Sequence, residues 1–221
     1  MVHRRCALPA TAANAEAFNS EMFFILTSNA KALHSEKLQQ PGGNFMEFKK
    51  YPHNPPHLFI DGAIYFITGG ILDKRHILRD DAHKEIVRAA MEKWFSHFEW
   101  QLDAWIILSN HYHLVAKAKL AKDMPTIFAR MHGGSATLLN RLDDAPGRHV
   151  WWNYWDTCIR GDRDFEYRLA YVYWNAVKHG VVARPQDYRW SSFTRASQEE
   201  EDQRKFGEKP PEALKDNFDD F

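Results

Sequence analysis

Cysteine is nearly absent from this 221-residue chain, and its two copies, Cys6 and Cys158, fit neither a disulfide framework nor a zinc-ligand spacing. That scarcity argues against a stapled secreted scaffold and predicts a reducing, cytoplasmic setting. Long apolar runs are missing as well. None approaches the roughly 18 residues that a membrane span needs, and Met22 to Leu26 is too short for the apolar region of a signal peptide. Net charge is zero, which at first sight speaks against a nucleic-acid partner. The charge is unevenly spread, however. Ser197 to Phe221 carries nine acidic and four basic residues, leaving 25 basic against 20 acidic in the rest of the chain. A mildly basic body thus precedes an acidic tail, which reads as a solvated extension or as a segment that competes at a basic groove.

What is present is apolar and aromatic: 44% hydrophobic residues, 14% aromatic, 8 Trp. Such a composition supports a packed globular core. Three segments are expected. Residues 1–56, rich in Ala, Asn, Gln, Pro and Gly, read as poorly structured, with Met46 as an alternative start because regular patterning begins only beyond it. Residues 57–196 form the domain, and 197–221 a disordered acidic tail.

Within the domain the hydrophobic period predicts the elements. Ala63 to Thr68 reads as a strand, followed by a helix capped by Asp80 or Asp81, with Ile86, Val87, Ala90, Met91, Trp94, Phe95 and Phe98 at helical spacing. Trp100 to Leu108 and His111 to Ala118 read as a hairpin. A helix opened by Asp123 and Pro125 follows, with the face Ile127, Phe128, Met131, Leu138, Leu139 and Leu142 and a break or kink at Gly133-Gly134. Val150 to Ile159 reads as a strand, and residues 163 to 179 as a helix stopped by Gly180. The order β-α-β-β-α-β-α predicts an α+β protein: a ferredoxin-like βαββαβ unit plus one C-terminal helix.

Chemistry enters at His111 and His113. Alternate residues of a strand share a face, so the two imidazoles stand side by side and suit one divalent cation. The next positions exclude two common schemes. A cupin places Glu four residues beyond the second histidine and a metallo-β-lactamase Asp two beyond it, where this chain has Lys117 and Val115. Tyr112 and Leu114 suit a core covered by helices, which leaves the histidines on the open face of the sheet.

The last helix supplies partners. Its apolar stripe is Phe165, Leu169, Val172, Tyr173, Ala176 and Val177, while Asp164, Arg168, Tyr171, Asn175 and Lys178 recur on a separate stripe. Tyr171 is therefore expected away from the packed face, either as a surface tyrosine or as a nucleophile toward phosphorus. A phenol is only about 0.1% ionised at neutral pH, so the nucleophilic reading requires an activator. A divalent metal on the histidines, completed by the amide oxygen of Asn175, would be one.

Three ordered motifs resemble a known family. Ser109-Asn-His111-Tyr-His113-Leu-Val is similar to the His-hydrophobe-His strand of single-tyrosine HUH transposases. Tyr171-Val-Tyr-Trp-Asn175-Ala-Val-Lys178 resembles their nucleophile helix, and Pro185-Gln-Asp187-Tyr188-Arg-Trp190-Ser191-Ser192 a segment of the REP-associated tyrosine transposases. The chain departs from the usual pattern at Ser109 and Ala176, where the family commonly has proline. The resemblance implies a metal-dependent enzyme that nicks single-stranded, hairpin-forming DNA and transfers strands through a 5′-phosphotyrosine. It assigns Tyr171 as nucleophile and His111, His113 and Asn175 as ligands of Mg²⁺ or Mn²⁺. It leaves open whether the protein is a monomer or a homodimer that donates the helix in trans.

A DNA partner needs a basic track and stacking surfaces. Lys117, Lys119, Arg160, Arg168, Lys178, Arg189 and Trp190 are the candidates, with Lys74, Arg75, Trp151, Trp152 and Trp155 as further ones. Each charge also reads as plainly solvated and each Trp as core. A domesticated hairpin-binding protein without transposition, and an unrelated His-x-His metalloprotein, are the competing readings.

Overall fold

The computed structural model describes residues 58–193, 210–216, 218 and 219. The expectations for residues 1–56, including the Met46 start, lie outside the described residues. The elements are β1 (Ile64–Ile71), α1 (Asp81–His97), β2 (Gln101–Ile107), β3 (His111–Lys117), α2 (Met124–Leu142), β4 (Trp151–Cys158) and α3 (Asp162–Lys178). The sheet order is β2-β3-β1-β4 with every neighbouring pair antiparallel, as a βαββαβ unit requires. Among the described residues no helix is long and apolar enough to cross a membrane.

Strand alternation builds two cores. One face carries Tyr65, Ile67, Ile71, Trp105, Ile107, Tyr112 and Leu114 and is covered by α1 and α2. Asp80 caps α1 by accepting a hydrogen bond from the His83 amide, which satisfies one of the free donors at the helix start. Tyr112 lies flat against Gly69, its partner across the β1–β3 ladder. A Cβ at Gly69 would stand 2.2 Å from the Tyr112 ring, so only glycine admits this crossing.

Helix α2 runs unbroken through Gly133-Gly134. Its buried stripe is Met124, Ile127, Phe128, Met131, Ser135 and Leu139, while Leu138 and Leu142, expected on that face, are about half exposed. Ser135 takes the place of a leucine because its hydroxyl accepts the Trp151 indole N–H while donating to the Met131 carbonyl.

The opposite face is not open. It carries Phe66, Ala104, Ile106 and Val115, and α3 covers it. The second half of α3, Leu169 to Ala176, is buried all round, because the chain packs on it from two further directions. Residues 188–193 lie along β2: Ile107 N–H bonds the Trp190 carbonyl, Ser192 N–H bonds the Trp105 carbonyl, and Tyr188 Oη donates to the Ile107 carbonyl. They close that sheet edge. Part of the expected disordered tail also packs here, with a short turn at Glu212–Lys215 against α3 and Phe218 beside Tyr171.

The His132 ring is partly buried, with Nε2 2.8 Å from the Tyr112 hydroxyl and the ring of Trp151 stacked on it. Burial pushes its imidazole down to about 3. An unfolded histidine titrates near 6.5. Between about 6.5 and about 3 the unfolded chain therefore binds a proton that the fold refuses, and stability falls as pH falls through that window. Replacing His132→Gln, which keeps an acceptor for Tyr112, is expected to lower stability at pH 7 by roughly 1–3 kcal/mol. It should also flatten the decline toward acid by up to ~1.4 kcal/mol per pH unit, as read by urea unfolding at pH 7 and pH 4.5.

Candidate active site

β3 delivers His111 and His113 to the face beneath α3, and α3 brings Tyr171 and Asn175 to the same point, all four buried. His111 Nε2 lies 3.2 Å from Asn175 Oδ1. The Tyr171 ring meets the His113 ring edge-on at 5.2 Å, and the two histidine rings are 4.9 Å apart. The four residues assigned to catalysis and metal binding therefore converge within one chain. Tyr171 differs from its expected place in one respect. It is wholly buried, because the turn at Glu212–Lys215 and Phe218 cover the stripe that the helical period leaves outward.

Hydrogen bonds set the histidine tautomers. Asn110 Nδ2 donates to the Lys74 carbonyl, which turns its Oδ1 toward His111 Nδ1 at 2.7 Å. An amide oxygen only accepts, so His111 carries its proton on Nδ1 and presents a lone pair at Nε2. Burial first, and the neighbouring His113 second, push its pKa down to about 3, so the ring is neutral at pH 7. That lone pair faces Asn175 Oδ1, whereas Asn175 Nδ2 is buried without a hydrogen bond among the described residues. A half-turn of the amide lets Nδ2 donate to His111 in the metal-free protein; a cation at the histidines requires the oxygen.

His113 Nδ1 lies 2.8 Å from the Thr68 hydroxyl, and Thr68 is its partner across the ladder. A hydroxyl both donates and accepts, so Thr68 serves either tautomer of His113.

The sequence reading did not include Asp219. Its Oδ1 lies 2.8 Å from His113 Nε2 and accepts the Tyr171 hydroxyl at 2.8 Å; its Oδ2 accepts Lys178 Nζ at 2.7 Å and faces His179 Nε2 at 3.1 Å. Burial alone would raise the Asp219 pKa, but hydrogen bonds from His113 and His179 outweigh it and hold the carboxyl well below the usual range. Burial, with the charge of Asp219 second, pushes the Tyr171 phenol well above its ordinary value. In this arrangement the tyrosine is a protonated donor. His111, His113 and Asp219 also form a group able to hold a metal ion, their ligand atoms lying within 4.8 Å of one another. No local pattern points to Asp219; the only sequence signal is an acidic segment after a basic body.

The other candidates are spread out. Lys178 donates to Tyr171 Oη at 2.7 Å and belongs to the site. Arg168 lies over the Phe66 and Phe218 rings beside it. Lys117 and Arg160 are exposed at the ends of β3 and β4, and Lys119 pairs with Glu99 at 3.7 Å. Arg189 is exposed and pairs with Asp81. Trp190 is buried with its indole N–H on Asp81, so its ring is packing surface and not a platform for bases. Trp151 is likewise core. Trp152 is exposed, and Trp155, paired with Thr68, is half-buried on the histidine face.

Residues 66–173 match the family described as Transposase IS200 like. A Haemophilus influenzae relative assigned to the REP-associated tyrosine transposases is 29% identical over 147 residues, covering 62% of this chain and 83% of its own length. The Escherichia coli REP-associated tyrosine transposase is 24% identical over 151 residues, covering 67% and 83%. A solved structure of a REP-associated tyrosine transposase bound to a REP hairpin aligns with a TM-score of 0.55 at 21% identity, over 71% of this chain and 87% of that one, and shares the fold. The matched stretch runs from β1 into α3, holds both histidines and Tyr171, and is similar to the IS200-like transposases.

Proposed function

We propose that this protein cuts and rejoins single-stranded DNA beside a hairpin, with Tyr171 as nucleophile and His111, His113 and Asn175 as ligands of Mg²⁺ or Mn²⁺. One observation carries the reading: the Tyr171 hydroxyl and His113 Nε2 sit at the same distance, 2.8 Å, from a single anionic oxygen, that of Asp219. A phosphate oxygen in that place would stand against the nucleophile and the metal ligands together. The neutral His111 and the acceptor-rich face of Asn175 fit a hard divalent ion. When bound, that ion would polarise the phosphate oxygen and neutralise charge in the transition state.

In the step itself the phenol oxygen forms a bond to phosphorus as the bond from phosphorus to the 3′ oxygen breaks. The phenol gives its proton to solvent and the departing 3′ alkoxide takes one up. The tyrosyl phosphate keeps the energy of the broken ester, so a 3′ hydroxyl can displace the tyrosine and rejoin strands without ATP. The hairpin in the REP-bound structure supports this substrate class. Lys117, Arg160, Arg168 and Lys178 are the phosphate contacts we favour, with Trp155 as a stacking surface. Tyr171 reaches histidines of its own chain, which supports action as a monomer.

A second reading, hairpin binding without strand transfer, is favoured by the hydrogen bond that ties the Tyr171 hydroxyl to Asp219. Incubation with hairpin-bearing single-stranded DNA and Mn²⁺ separates the two. The enzyme reading expects a covalent adduct on a denaturing gel, absent in Tyr171→Phe and formed roughly 100-fold more slowly in His113→Ala. Wild type that binds the hairpin and forms no adduct would establish the second reading. For the metal, Thr68→Val removes the partner of His113 Nδ1 and is expected to weaken Mn²⁺ binding about 10- to 100-fold by titration calorimetry; unchanged affinity would remove His113 from the ligand set.

A further inference from the structure

The connection from β1 to α1 holds a costly backbone conformation. A short turn at Leu72–Lys74 places two consecutive residues with side chains, Asp73 and Lys74, at positive φ, 58° and 52°. The left-handed region crowds Cβ against the following carbonyl oxygen, so residues other than glycine enter it singly and at a cost. Such a conformation persists only where its surroundings enforce it. Here they are hydrogen bonds to two other segments. Ile71 N–H bonds the Asn110 carbonyl and Leu78 N–H the Ser109 carbonyl, both at 2.8 Å, and His76 Nδ1 lies 2.6 Å from Ser109 Oγ. Leu72 N–H bonds the Val150 carbonyl at 2.8 Å, and the Arg75 guanidinium spans the Leu72 and His149 carbonyls. The turn is thus stitched to the β2–β3 hairpin on one side and to the start of β4 on the other.

What the conformation delivers is a carbonyl. The Lys74 oxygen accepts Asn110 Nδ2 at 3.2 Å, and a carbonyl can only accept, so the Asn110 amide is fixed with its nitrogen toward the turn. Its Oδ1 then meets His111 Nδ1 at 2.7 Å. The Lys74 side chain leaves in another direction, donating to the Asp219 carbonyl at 3.3 Å, so the anchor for Asn110 is backbone. If the amide turned over, its nitrogen would face Nδ1, and the ring would carry its proton on Nε2, the atom that a metal ion needs bare.

We infer that the left-handed Asp73–Lys74 turn is a positioning element of the metal site: through Asn110 it holds His111 in the Nδ1–H tautomer, with Nε2 free for the ion. This rests on the metal-site reading above. Lys74 and Asn110 act in this role through His111, without touching the ion.

The test uses the full-length protein with no metal added and reads the His111 tautomer by nitrogen-15 NMR, its ring signals being assigned by their loss in His111→Gln. Asn110→Ala is expected to lower the ratio of Nδ1–H to Nε2–H ring ~10-fold, the effect of one hydrogen bond, with Asn175 Oδ1 accepting the Nε2 proton. By calorimetry its Mn²⁺ affinity falls about 10- to 100-fold. Lys74→Val, which puts a β-branched side chain at positive φ, opens the turn and produces the same two changes; Lys74→Gly, which suits that φ, produces neither. Asn110→Asp keeps the tautomer and the affinity, because either carboxylate oxygen accepts from Nδ1 without being oriented by the turn. That variant separates positioning from loosening of the fold. In the Asn110→Asp background, Lys74→Val should leave both readouts within ~2-fold of Asn110→Asp alone. The full loss persisting there, or a wild-type tautomer in Lys74→Val, overturns the inference.

The two readouts also part the inference from the reading it rests on. A tautomer that follows Asn110 and Lys74 in a protein that binds no Mn²⁺ upholds the positioning of the ring and removes the metal site. Mn²⁺ binding that is indifferent to Asn110→Ala and Lys74→Val keeps the metal site and removes the positioning element.

Discussion

Everything in the site depends on β3 being buried on both faces. A strand in the middle of an antiparallel sheet sends alternate side chains to opposite sides, and here both sides are covered, Tyr112 and Leu114 by α1 and α2, His111, His113 and Val115 by α3. The register with β1 then decides which polar group each histidine meets. A slip of one residue would exchange Thr68 for Gly69 opposite His113 and send the imidazoles into the apolar core. Gly69 secures the register from the other side, since the crossing of Tyr112 admits no other residue.

Burial on that second face has electrostatic consequences. The histidines are neutral because they lie beneath α3, and neutral imidazoles are what a metal ion needs. The same burial raises the Tyr171 phenol above its ordinary range, so the helix that completes the site also holds this hydroxyl protonated. Negative charge from Asp219 adds to this; positive charge from Lys178 opposes it, and a metal ion on the histidines, in the function proposed above, would do the same. Which of the two faces Tyr171 decides whether the oxygen is a nucleophile or a hydrogen-bond donor.

Local pattern carried the element order, the histidine pair and the Tyr171 and Asn175 stripe, because each depends on a period of two or 3.6 residues that a single segment displays. Contacts between distant segments left no such trace. Helix periodicity divides α3 into an apolar and a polar stripe, yet Tyr171 and Asn175 are buried because Phe218 and Asp219, over 40 residues further on, close over them. Arg189 and Trp190 read as DNA contacts on composition alone; in the fold both meet Asp81, and their segment closes the edge of β2. Leu138 and Leu142 belong to the apolar face by period, yet Leu139 between them is buried and they are half exposed, because α2 turns Met131, Ser135 and Leu139 to the core and these two to one flank. The acidic tail reads as solvated because its composition cannot form a core; it needs none, since the body supplies the rings and cations that Phe218 and Asp219 meet.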